Sequence, residues 1–193
     1  MYVIEFLGMA RAGKTTQIDK LRTFLESKGK RVGILTDRER ALTVQTPVSE
    51  GLAYTLVFFS LAIDAHEAHK NKVDYLLIDR GFHDVAVWAD VRFHLGEISQ
   101  TERDALKMIF ERFLDSVHRT FYFTLPVDVA LQRHTQTTQQ AVDDVAMNKK
   151  WLELLAESYK NNESHFTNVT HLDGACSAEE IHEQIIRSLG EDL

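Results

Sequence analysis

The stretch Gly8-Met9-Ala10-Arg11-Ala12-Gly13-Lys14-Thr15-Thr16 decides the fold. It follows the apolar run Tyr2-Val-Ile-Glu-Phe-Leu7 and precedes the helical pattern Gln17-Ile-Asp-Lys-Leu21, so its context is strand, loop, helix. The spacing is G-x-x-x-x-G-K-T, and each residue type has a physical reason. Glycines let the backbone curl around phosphate oxygens, and the helix N-terminus supplies unpaired N–H donors. Lys14 neutralises phosphate charge, and Thr15 offers a hydroxyl to magnesium. Residues Gly8 to Thr16 are therefore the candidate phosphate cradle. Arg11, inside the loop, is either a guanidinium supplied in cis to a transferring phosphoryl group or a solvated loop arginine. Ala10 and Ala12 keep the rest of the loop small.

Outward from this loop, short β-rich runs alternate with longer helical patterns, the signature of βαβ units around a parallel sheet. Strands are expected over Tyr2–Leu7, Arg31–Thr36, Asp74–Asp79, Thr120–Thr124 and Phe166–Leu172. Runs such as Tyr-Leu-Leu-Ile are continuous enough to be covered on both faces. A helix is expected near 102–117 on the stripe Leu106, Ile109, Phe110, Phe113, Leu114, Val117. Ser177 with Glu180 reads as a capping box for a final helix burying Ile181, Ile185, Ile186 and Leu189.

The third strand ends in Asp79-Arg80-Gly81, at the carboxyl edge where open α/β folds form their ligand crevice. There Asp79 can hold magnesium through water or accept a hydroxyl proton, and Arg80 can clamp an anionic acceptor. The second strand ends in Asp37-Arg38-Glu39-Arg40: Arg38 or Arg40 is a candidate acceptor ligand, and Glu39 a candidate base or supporting ligand. Phe58-Phe59, leading into a helical pattern that reaches His69, suits either an acceptor-pocket wall or plain core. The polar run His134-Thr-Gln-Thr-Thr-Gln-Gln140 reads as a lid near 134–142 or as a surface linker.

The chain has 193 residues, which suits one domain spanning 1–193. Hydrophobic residues at 44% and charged residues at 26% argue against disorder. With 22 Lys+Arg against 29 Asp+Glu, the net charge of −7 argues against long nucleic acid as a partner. The start MYVIEFLGMA lacks a basic leader, and the apolar stretch Leu52–Ile63 is too short to cross a membrane. A cytoplasmic protein with no membrane partner is the expectation. Cys176 is the only cysteine, and His66, His69, His83 and His94 form no zinc pattern. Neither an Asn-Lys-x-Asp guanine motif nor G-x-G-x-x-G occurs; the nearest string, Asn148-Lys149-Lys150-Trp151, lacks the aspartate.

Taken together, these residues resemble the thymidylate kinase family of P-loop nucleoside-monophosphate kinases. Gly8-Met-Ala-Arg-Ala-Gly13-Lys14-Thr15-Thr16-Gln17 is similar to that family's phosphate loop, Arg38-Glu39 to its arginine-glutamate after the second strand, and Asp79-Arg80 to its aspartate-arginine pair. Leu125-Pro-Val-Asp-Val-Ala-Leu-Gln-Arg133 resembles the strand exit and helix before the family's lid, where the arginine lies over adenine. Trp151 to Tyr159, His171-Leu-Asp173 and Ser177-Ala-Glu-Glu-Ile resemble its carboxy-terminal elements.

The resemblance implies a three-layer α/β/α fold with a five-stranded parallel sheet in the order 2-3-1-4-5. It implies ATP and Mg2+ as cofactors, Lys14, Arg11, Asp79 and Arg80 as catalytic residues, and Thr15 and Asp79 as magnesium ligands. Gly8 through Thr16 with Arg133 would bind ATP; Arg38, Glu39, Arg80 and Phe59 would bind a small acceptor, dTMP by default. A homodimer is also implied. There are departures: Ala10 replaces the loop aspartate, and Phe-His-Asp-Val-Ala-Val-Trp88 stands where the family has a serine and then alanine-tyrosine-glutamine near the base. The helix from Val57 lacks the family's arginine, and the lid carries none after Arg133, which leaves Arg11 to stabilise the transferring phosphoryl. The other readings are a deoxynucleoside or small-molecule kinase of the same fold, and a catalytically weak nucleotide-binding regulatory protein.

Overall fold

Val3, Ile4, Glu5, Phe6, Leu7 and Gly8 are all buried, so six consecutive positions of the first strand are shielded from water, and the molecule is built outward from it. The computed structural model describes residues 1–36, 51–137 and 148–190. Among them, β1 (Tyr2–Gly8), β2 (Val32–Leu35), β3 (Tyr75–Asp79), β4 (Arg119–Thr124) and β5 (Val169–Asp173) form one sheet in the order β2-β3-β1-β4-β5, with every neighbouring pair parallel. The expected order 2-3-1-4-5 holds. The register pairs Phe6 with Asp79 and Gly8 with Phe123, so the exits of β1, β3 and β4 share one edge.

Helix α1 (Lys14–Ser27) follows β1, and α2 (Gly51–His69) leads into β3. Helices α3 (Phe82–His94) and α4 (Gln100–Leu114) join β3 to β4, while α5 (Val127–Thr137) and α6 (Lys149–Asn162) join β4 to β5. Helix α7 (Ala178–Leu189) closes the chain, and its predicted capping box is present: Ser177 Oγ accepts from Glu180 N, and Glu180 Oε2 accepts from Ser177 N. Such a box is worth about 1 kcal/mol. Ile181, Ile185 and Leu189 are buried beneath it, while Ile186 is only partly buried.

Three local expectations are corrected. The last strand begins at Val169 instead of Phe166, because Glu163–His165 forms a 3₁₀ turn and Phe166 folds under Tyr122 and His83. Ile109, assigned to the buried stripe, is 48% exposed: the buried members are Leu106, Phe110 and, past the helix end, Val117, with Phe113 and Leu114 partly buried. Residues 134–137, read as lying between two helical patterns, are the last turn of α5, since Thr and Gln do not forbid a helix there. No helix among the described residues is long and apolar enough to cross a membrane.

Candidate functional site

Gly8 must be glycine twice over. Its φ is +123°, and a Cβ would stand 2.3 Å from the Phe123 carbonyl oxygen across the β1–β4 ladder. Gly13, also left-handed at φ +98°, turns the loop into α1. Between them Arg11 adopts φ +65°, an uncommon conformation for a non-glycine residue that lets the loop curl. Arg80, directly after β3, adopts φ +61° while its N–H donates to the Phe6 carbonyl.

These turns gather a buried cluster. The Lys14 ammonium, 6% exposed, donates to the carbonyls of Gly8 and Met9 at 3.1 Å each and lies 3.8 Å from Asp79 Oδ1. Thr15 Oγ1 donates to Asp79 Oδ2 at 3.1 Å. Asp79 Oδ1 accepts no hydrogen bond, and Asp79 is 2% exposed. A buried carboxylate oxygen left open beside a hydroxyl and an ammonium fits a hydrated magnesium ion, which Thr15 and Asp79 would hold. Among the described residues no three His, Cys, Asp or Glu side chains gather as a metal cluster.

The loop is strapped from the other side by Arg133, predicted to lie over adenine. Its Nη1 donates to the Arg11 carbonyl at 3.1 Å and to the Gly174 carbonyl at 2.8 Å, tying α5 and the exit of β5 to the phosphate loop. Gly174 permits this approach, because a Cβ there would stand 2.9 Å from the Ala12 carbonyl oxygen. Arg11 Nη2 meets His134 Nδ1 at 3.2 Å, which joins the loop to the last turn of α5. Asp37, Arg38, Glu39 and Arg40 lie outside the described residues, as do 138–142 of the expected lid. Phe59 is 8% exposed and packs edge-on against Phe82, Phe110 and Phe113.

Several residues that carry the site escaped the sequence reading. Glu5, fully buried in the central strand, accepts from the main-chain N–H groups of Phe82 and His83 and from His83 Nδ1, and so caps α3. His83 Nε2 accepts from Thr167 N at 3.1 Å, which fixes a neutral ring with its proton on Nδ1. A Cβ at Gly81 would stand 2.0 Å from Glu5 Oε1, so the Asp79-Arg80-Gly81 turn closes only with glycine there. Asp84, in the first turn of α3, accepts a hydrogen bond from the Tyr159 hydroxyl, which also lies 3.3 Å from the Gly8 carbonyl oxygen. Burial, then the Asp84 carboxylate, holds the Tyr159 phenol well above its ordinary pKa, so it remains a donor. The one available signal was a carboxylate inside an otherwise apolar central strand.

No family model matches the sequence, and no curated protein matches it in sequence. In structure it is similar to deoxyadenosine kinase from M. mycoides. With bound dATP, that enzyme superposes with a TM-score of 0.70 at 14% identity, covering 98% of this chain and 100% of that chain. With the products dCMP and a flexible dCDP bound, the TM-score is 0.67 at 15% identity, covering 97% and 98%. With bound dCTP it is 0.62 at 15% identity, again covering 97% and 98%. A likeness of this extent at this identity is one of fold: the chain shares the five-stranded parallel α/β architecture of that enzyme.

Proposed function

We propose that this chain moves the γ-phosphoryl of ATP, with magnesium, to the hydroxyl of a deoxynucleoside. The observation that carries this reading is the buried pair Lys14 and Asp79, with the Thr15 hydroxyl bonded to Asp79 at the surface of the loop. Phosphoryl transfer asks a protein mainly for positioning and charge stabilisation. Lys14 supplies a desolvated cation at the loop, and Arg11 a second donor at its rim. Magnesium held by Thr15 and Asp79 would neutralise the triphosphate. The acceptor hydroxyl gives its proton to Glu39, or to Asp79 where that carboxylate holds the metal only through water, and Arg80 steadies the acceptor. Deoxyadenosine kinase of the same fold carries dCMP as a product, which favours a nucleoside over a monophosphate as acceptor.

A second reading keeps dTMP as the acceptor, and the adjacent Asp79-Arg80 pair at the sheet edge, with Arg38 in the sequence, favours it as an anion clamp. The exposed pair Met108 and Ile109 on α4 supports a homodimer. The test is coupled ADP release with magnesium-ATP across the four deoxynucleosides and dTMP. Release with a nucleoside is expected. Release with dTMP alone would favour the second reading, and none with any acceptor would favour a regulatory nucleotide-binding protein.

A further inference from the structure

Phosphoryl chemistry leaves one buried cation unexplained. Arg92 is 1% exposed, and its guanidinium carbon lies 5.3 Å from the Trp88 ring centroid and 5.4 Å from that of Trp151. Nη1 donates to Glu97 Oε2 at 2.8 Å, whereas Nε and Nη2 have no hydrogen-bond partner among the described residues. Those two nitrogens share one edge of the guanidinium. What is left unspent is therefore a complete fork of two parallel donors, the arrangement with which arginine meets a pair of acceptors. Leaving such a fork dry in the interior is costly, and an apolar side chain of similar length would fill the space between two indoles without that cost.

Its position points to what the fork meets. Asp84, Trp88 and Arg92 recur at i, i+4 and i+8 and share one face of α3. Asp84 touches Tyr159 and through it the Gly8 end of the phosphate loop. Arg92 lies two turns further along the helix, about 12 Å, a distance of nucleoside dimensions. The first residue of α2, Gly51, closes over the same spot: a Cβ there would stand 3.4 Å from Arg92 Cδ. Because Glu97 already balances the guanidinium charge, the free edge calls for neutral acceptor atoms instead of a second anion.

We propose that the Nε/Nη2 edge of Arg92 reads the base of the acceptor and selects one with two adjacent acceptor atoms, cytosine through O2 and N3 or guanine through O6 and N7. This rests on the acceptor-kinase reading above. Adenine sets an amino donor beside each ring acceptor on its Watson–Crick and Hoogsteen edges, and thymine places N3–H between its carbonyls. Either would leave one arm of the fork facing a donor or nothing.

The chain's two tryptophans are Trp88 and Trp151, both beside Arg92, so intrinsic emission reports on this site. The test titrates the full chain with deoxycytidine, deoxyguanosine, deoxyadenosine and thymidine, without triphosphate, following tryptophan emission and heat. Wild type is expected to show a saturable change with deoxycytidine or deoxyguanosine, at an affinity about tenfold or more above that for the other two. The two arms distinguish cytosine from guanine. Arg92→Lys keeps the charge but loses the fork, and is expected to bring all four nucleosides within about threefold while far-UV circular dichroism stays unchanged. No saturable emission change in wild type, a preference for adenine or thymine, or a preference unmoved in Arg92→Lys overturns the inference. The wild-type titrations hold whether or not the variant folds. Selective binding without transfer to any acceptor would leave the base reading standing and overturn the kinase reading; transfer with no base preference would do the reverse.

Discussion

The phosphate loop and the far end of α3 treat buried cations in opposite ways. At the loop, Lys14 is spent on two main-chain carbonyls and faces Asp79, and Arg133 ties the loop's main chain to the exit of β5. Two turns along α3 from Asp84, Arg92 is just as buried and keeps a whole donor edge unspent. A site held together without its ligand is preorganised for a group common to many ligands, which on the proposed function is phosphate. A site with donors left open is shaped for something more particular. The two are joined by Tyr159 and Asp84, so the general half and the specific half share a helix.

The sharpest way to break the general half is Lys14→Ala. Turnover in a coupled ADP assay is expected to fall by about 10²–10³-fold or more, with circular dichroism showing the fold retained. Gly8→Ala attacks the same half through the backbone. A positive φ and a Cβ 2.3 Å from the Phe123 carbonyl oxygen are expected to cost about 3 kcal/mol or more, read as a lowered urea midpoint. Glu5→Gln tests the hinge between the halves. Replacing a buried carboxylate that accepts two main-chain N–H bonds at the start of α3 is expected to cost about 2 kcal/mol, together with a measurable loss of kcat as Asp79 and Arg80 lose their support.

The smallest effect lies away from both halves and serves as a control. Two side-chain hydrogen bonds and one main-chain bond from Arg31 depress the Asp74 carboxyl to about 2. A depressed carboxyl stabilises the fold above its unfolded pKa of about 3.9, and that contribution is lost as pH falls through about 2. Asp74→Asn is expected to flatten only this acid limb of a pH-stability profile, weakly and less so in high salt, with no change in activity at neutral pH.

Much of the general half was legible because its demands are local. Gly8, Gly13, Lys14 and Thr15 are set by eight consecutive residues, and the near-continuous apolar runs of β1 and β3 announced strands covered on both faces. Asp79 and Arg80 followed from knowing which edge of a parallel sheet carries ligands. The hinge and the specific half were not legible, because Glu5 with His83 and Thr167, Asp84 with Tyr159, and Trp88 and Arg92 with Trp151 are pairings across long stretches of chain. Only the fold brings them together, and no spacing rule along one segment encodes them. Ile109 was misplaced for a related reason: a helical stripe gives the apolar face, but how wide a face the neighbours cover is decided by packing.

On the proposed function, the cluster of Lys14, Thr15 and Asp79 transfers a phosphoryl group to a nucleoside hydroxyl. The most direct measurement is single-turnover incubation with magnesium and γ-labelled ATP, with each deoxynucleoside supplied in turn and the label traced by chromatography. Label is expected in a deoxynucleoside monophosphate, formed at least about 10²-fold more slowly by Lys14→Ala. Label that stays on ATP with every acceptor while ATP binds tightly, or that appears only as free phosphate, would contradict it.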